Sequence, residues 1–492
     1  MMMNTKTWVA SIIRSDDHKT FSSIFLHFLW LVLAVVMFLG GMALAMLLEG
    51  KFSFYGLDIV VGIFGLLVVA ILLLLRQEKL IIALIIVIHL YIDLYFGVLA
   101  AALIIPIMLL PVYFLRRSPA SPWVMPRAIW LWLLLLVLCI PATIQGGGLY
   151  NFLYYYCDVF AGALLIFWLG IVVANNEMNM RMILQMIAAI GTFFAIVTII
   201  QFMTGTLLFG SSRFTDELLQ TSDFALFSGS SISRAGSFFV NPDWNGTFFS
   251  IMLFLPIGLF IQSSSLFEKI LYFIEIFLIL IALLATFSTG AWVGAFAGIA
   301  VLLILIGYVG YRLIMLCLFG VIALAGGIFF SSQINAQLQH ATAPNELALR
   351  QGVWQTAINV IRTFPLTGIG LSQQIYLQKS SLYQARTQYL PLAHPHDAYL
   401  EIGAMAGLPV LAAFLAVLLL ALWLALRNWM LADQRSRPLI GAVIASVFAL
   451  SINSISINGW TLPPLAALGW LILGLVSSPL LKKSLMSIKK EG

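Results

Sequence analysis

The chain has 492 residues, 62% of them hydrophobic and only 9% charged, with a mean hydropathy of +1.05 and a formal net charge of +6. A soluble domain of this length cannot hide so much apolar surface, because the buried fraction saturates as domains grow. A soluble enzyme is therefore excluded, and the chain reads as an all-α, polytopic transmembrane helical bundle of about 12–14 spans.

Taken in order, apolar runs sit near 22–48, 57–75, 80–95 and 97–115, then near 128–144, 157–174 and 183–203. The first is too long for a signal peptide and lacks a small-residue cleavage site, so it reads as a retained span. In "IVIHLYIDLYFG", His89 and Asp93 are four apart on one helix face, the spacing of a local hydrogen-bonded pair more than of an ion path. Cys139, Cys157 and Cys317 have no paired spacing and read as small hydrophobes. Central runs follow near 246–262, 270–287, 290–309 and 313–330, and the last three near 398–425, 439–456 and 465–480. The organisation expected is N-terminal spans over 1–203, a first outer loop at 204–245 and central spans over 246–330. A large outer loop at 331–397 precedes C-terminal spans and a basic tail over 398–492.

Most of the 25 Lys and Arg fall at one set of helix ends, among them Lys6, Arg76, Arg116, Arg117, Arg181, Lys269, Arg312, Arg427, Arg435, Arg437 and Lys482. By the positive-inside rule that side is cytoplasmic and carries both termini, and the cytoplasmic membrane is the expected location. The basic excess is thereby explained by topology, with membrane lipids rather than nucleic acid as its counterpart. The inward loops are short and hold no Gly-rich phosphate loop, so nucleotide chemistry has no home there.

Both long loops face outward, and loops of that length usually carry function. The first contains "SRAGSFFVNPDWNG" (233–246), where Arg234 among Ser and Gly can meet an anion and Asn241 to Gly246 read as a turn. In the second, "NELALRQGVWQTAINVIRTFPLTGIGLS" (345–372) reads as a helix capped by Asn345 and ended before Pro365. Val353, Trp354, Ala357, Ile358 and Ile361 form its apolar face, and Arg350, four before Trp354, is expected to point the same way. The loop closes on "HPHDAYLEIGAMAGLPV" (394–410), with His394, His396, Asp397 and Glu401 at the mouth of the next span. A histidine beside carboxylates suits a base at neutral pH, Asp397 suits an N-cap, and no His or Cys cluster has metal-ligand spacing.

These stretches, over roughly 180–430, resemble the O-antigen ligase and Wzy-type O-antigen polymerase family of bacterial membrane glycosyltransferases. "RAGSFFVNPDWNG" is similar to the family's Arg-x-Gly-x-Phe-x-Asn-Pro-Asn stretch, with Asp243 for Asn, and "TFSTGAWVG" (286–294) to its Thr-x-Ser-Arg-Gly helix start, with Thr289 for Arg. "RQGVWQTA" with "FPLTGIGLS" matches an Arg-x-x-x-Trp helix and a Pro-x-x-Gly-x-Gly turn. "HPHDAYLEIGAMAGLPV" resembles His-Asn-x-x-Leu with Glu-x-Gly, with Asp397 for Asn and Met405 for Glu. The resemblance implies a GT-C-like fold that transfers or polymerises undecaprenyl-diphosphate-linked glycans outside the membrane without metal, nucleotide or other cofactor. The acceptor would be a glycan or lipid A core, with polysaccharide-assembly proteins as partners. It implies Arg234 and Arg350 as ligands of the diphosphate and His396 as the base. Asp397, Glu401, Trp354 and His394 are left to orient the base or bind acceptor.

Overall fold

The computed structural model describes residues 128–204, 234–306 and 344–481, apart from a few single positions and 389–390, with scattered positions between 310 and 335. The runs expected before residue 128, His89 and Asp93, Cys317 and the C-terminal tail lie outside the described residues. Among the described residues every regular element is helical. We number them α1 (Ala128–Gly146), α2 (Leu149–Val173), α3 (Glu177–Thr204), α4 (Pro242–Gln262), α5 (Leu266–Ala285) and α6 (Thr289–Leu305). Then come α7 (Pro344–Thr363), α8 (Gln373–Ser380), α9 (Ala398–Ala406), α10 (Leu408–Leu431), α11 (Arg437–Asn453) and α12 (Pro463–Ser477).

Five of these, α1, α2, α3, α4 and α10, are long and apolar enough to cross a membrane, so this is a multi-pass membrane protein. Inside lipid the hydrophobic effect between helices is weak, and association depends on close approach and on hydrogen bonds. The α6–α11 pair shows how. Gly290, Gly294 and Gly298 recur every fourth residue on α6, and a Cβ at Gly294 or Gly298 would lie 2.7 and 2.9 Å from the carbonyl oxygens of Ala449 and Ala445. Only a glycine stripe lets the two backbones meet. In α4 the helix is interrupted at Leu253, three residues before Pro256, and Ser446 of α11 donates to the Ile251 carbonyl at 2.8 Å. Deep in the bundle Trp132, Trp460 and Trp470 pack together, with Trp470 4.8 Å from Trp132 and 4.9 Å from Trp460 between ring centroids.

The antiparallel connections sort the helix ends into two sets. One set carries Arg181, Lys269, Arg312, Arg427, Arg435 and Arg437. There Arg437 donates to the carbonyls of Met430 and Ala432 and Arg312 to that of Ile306, cations on the negative ends of α10 and α6. The other set gathers the start of α4, the α5–α6 junction and the α11–α12 loop; α9 joins it through Ala398, whose amide donates to the Ser454 carbonyl at 2.9 Å, and α7 packs on α9.

Two sequence expectations are corrected. The run 398–425 is not one span: the chain breaks at Gly407 (φ 92°), because the turn after α7 presses its backbone there. Leu408 donates to the Pro365 carbonyl at 2.8 Å, and any Cβ on Gly407 would strike the Leu366 carbonyl. α7 is already helical at Pro344, so Asn345 lies within the helix rather than ahead of it, while the end before Pro365 is as expected.

Candidate active site

The first motif is the start of a helix, not a turn. The Asn241 side chain accepts from the amides of Asp243 and Trp244, Pro242 takes the first helical position, and α4 continues from there. The connection before α4 therefore ends by residue 241. This places Asp243 on the first turn of α4, where a carboxylate is favoured by the helix dipole. One turn on, Gly246 allows α4 to touch the α5–α6 junction: a Cβ there would sit 2.7 Å from that of Ser288.

That approach assembles a charged group. Arg234 donates from Nε to the Thr286 carbonyl at 3.0 Å and from Nη2 to Asp243 at 2.5 Å, while Ala235 N–H reaches the Ala285 carbonyl at 3.1 Å. Ser288 and, on α7, Arg350 lie within electrostatic reach of the same carboxylate. His396 senses both Arg350 and Asp243. Arg234, Arg350 and His396 come from three separate motifs, and each acts on Asp243, Arg234 by direct contact and Arg350 and His396 through their electrostatic influence. Sequence reasoning took Asp243 for a turn residue and passed over Ser288. The signal available was an acid nine residues after Arg234 in one motif, able to neutralise it.

Ser237, Phe287 and His396 are the non-glycine residues with positive φ among those described (48°, 47° and 51°), one in each of three motifs around this group. Such backbone costs about 1–3 kcal/mol per residue and persists only where the surroundings impose it. At His396 the constraint is local. Its amide donates to His394 Nδ1 at 3.3 Å, the two rings lie 4.2 Å apart between centroids, and Asp397 follows at once as the cap of α9. The accepting Nδ1 of His394 carries no proton, and burial together with His396 pushes its pKa down to about 3. His396 itself reaches solvent. The surrounding protein, and after it the Arg350 charge, hold its pKa below the ordinary 6.5 against the opposing pull of Asp243.

Other residues named from the sequence sit elsewhere. Asp397 spends Oδ1 on the amides of Tyr399 and Leu400 at 2.8 and 2.9 Å, and burial lifts its pKa to about 6. Glu401 does not orient His396. It is buried, and its two oxygens meet the hydroxyls of Tyr155 (3.4 Å) and Thr461 (2.8 Å). Arg350 is exposed rather than turned to the apolar side. The buried stripe of α7 is Val353, Thr356, Ala357 and Val360, and Trp354 is half-buried at its edge. The Gly368–Gly370 turn has its amides committed to other backbone groups. The amides of Gly368, Ile369, Gly370 and Leu371 are taken by the carbonyls of Phe364, Ala404, Met405 and Ala142, so the turn clamps α9 to α1. Among the described residues no three His, Cys, Asp or Glu side chains converge as metal ligands.

Residues 275–415 match the family model described as O-Antigen ligase, a segment that holds Ser288, Arg350 and His396 but neither Arg234 nor Asp243. No curated protein matches the chain significantly. Residues 275–415 of this all-helical, membrane-spanning chain are thus similar to the O-antigen ligase family domain.

Proposed function

We propose that the protein is a glycosyltransferase of GT-C-like fold in the cytoplasmic membrane, with the charged group on the outer face and both termini inside. Its donor is an undecaprenyl-diphosphate-linked oligosaccharide. Arg234 and Arg350 hold the diphosphate oxygens and stabilise the charge that grows as the glycosyl bond breaks. His396 accepts the proton of an acceptor hydroxyl. That oxygen bonds to the anomeric carbon, the bond from this carbon to the diphosphate oxygen breaks, and the electron pair leaves on the diphosphate. Direct displacement inverts the anomeric centre. Asp397 acts as the cap that fixes His396 at the mouth of α9, and Trp354 and His394 line the acceptor side.

The observation that carries this reading is the contact of Arg234 with Asp243, a carboxylate that also feels Arg350 and acts on His396. Two guanidinium groups beside a neutral imidazole suit an anionic leaving group and a base. Polymerisation is the favoured form, because its acceptor is a second lipid-linked unit and no outer membrane is required. Ligation to lipid A core is the alternative. The test uses purified protein in nanodiscs with its own undecaprenyl-diphosphate oligosaccharide, with and without lipid A core. A ladder of chain lengths that disappears in His396→Ala and Arg350→Ala is expected. Transfer to core alone would assign ligation, and no product with either acceptor would overturn the proposal.

A further inference from the structure

The ion pair at the centre of the group opposes the job assigned to it. Arg234 is nearly enclosed, with 11% of its side chain exposed, and its contacts to Thr286 and Asp243 use part of its five-donor fork. Asp243 is the open partner, with 44% of its side chain exposed. An anion that reaches Arg234 and Arg350 from outside therefore meets a carboxylate already bound to one of them. With His396 neutral, two guanidinium charges and one carboxylate leave the group a single net positive charge for a diphosphate diester that carries two negative ones.

We propose that Asp243 is an internal competitor for the diphosphate: its carboxylate holds Arg234 in position between turnovers, yields to the donor, and keeps the departing lipid diphosphate from binding too tightly. This rests on the reading of Arg234 and Arg350 as an anion seat. It makes Asp243 a positioning residue whose negative charge weakens ground-state and product binding alike. A carboxylate with a purely structural role has the opposite signature, since its removal would disorder Arg234 and weaken anion binding.

Asp243→Asn separates the two, because the amide oxygen still accepts from Arg234 while the charge is gone. The experiment measures inorganic pyrophosphate binding to the full chain in nanodiscs by calorimetry, and KM and kcat with the lipid-linked donor. In Asp243→Asn, pyrophosphate binds about tenfold tighter, the change expected from removing one nearby like charge at a partly exposed site. KM for the donor falls, and kcat falls with it as release of the diphosphate slows. Asp243→Glu, which keeps the charge, binds pyrophosphate as the wild type does. Unchanged or weaker binding in Asp243→Asn, or equal tightening in Asp243→Glu, would each overturn the inference while leaving the anion seat standing. Absence of pyrophosphate binding in both wild type and Asp243→Asn would overturn the inference and the anion seat together.

Discussion

His396 is held in a left-handed backbone conformation at the edge of solvent, and its surroundings disfavour the imidazolium form. A base must be neutral to accept a proton, so a pKa below 6.5 keeps it competent into mildly acidic conditions. The acid limb of kcat/KM therefore falls at a lower pH than an ordinary imidazole of pKa 6.5 would give. Arg350 contributes to that depression, so the residual activity of Arg350→Gln declines at a higher pH than the wild type. A pH–rate profile of both proteins checks this, and a limb that moves the other way would show that Arg350 does not act on His396. His396→Gln, which cannot take the proton, is expected to lose about 10²- to 10⁴-fold in turnover, with circular dichroism unchanged. That His396 was worth naming is legible in the sequence, from its place at the mouth of an apolar run. That Asp243 acts on it was not, because the two belong to elements far apart along the chain.

Among the elements, α9 is the one most dependent on its ends. Asp397 caps it at one end, and at the other Gly407 turns the chain away under the backbone of Leu366. Asp397→Ala removes the cap and should cost about 1 kcal/mol, whereas Asp397→Asn caps as well and should keep both stability and turnover. Thermal unfolding in detergent with parallel activity measurements decides the point. A large loss of turnover in Asp397→Asn at unchanged stability would instead make the carboxylate part of the proton path. Gly407→Ala places a side chain at φ 92° against a carbonyl and should destabilise by about 1–3 kcal/mol or more. The sequence placed a span here because apolar content continues unbroken from 398 to 425. Only the docking of the Pro365–Leu371 turn reveals that α9 is a separate short helix.

At the scale of the molecule, the charged group lies at the end of the bundle opposite Arg427, Arg435 and Arg437. If the positive-inside rule holds, the two ends face different compartments. Exposed Ser381, beside α8, and exposed Arg435, between α10 and α11, provide the test. In intact cells a membrane-impermeant thiol reagent should label Ser381→Cys at once and Arg435→Cys only after permeabilisation. The reverse pattern would put the charged group inside and remove the proposed donor from its reach.

Composition and the spacing of apolar runs determined that this chain crosses membranes as a helical bundle and roughly where its helices lie, since the thickness of hydrocarbon dictates helix length regardless of partners. Local order in the motifs likewise marked Arg234, Arg350 and His396, because charged residues beside apolar runs stand out against a chain with so few of them. What touches what was decided only in three dimensions. The amides of the glycine turn go to carbonyls of α7, α9 and α1, Glu401 goes to Tyr155 and Thr461, and Asp243 goes to Arg234. Each of these is a pairing of buried or crowded polar groups that must find partners away from water. The partners lie on other helices, and no spacing along the chain records them.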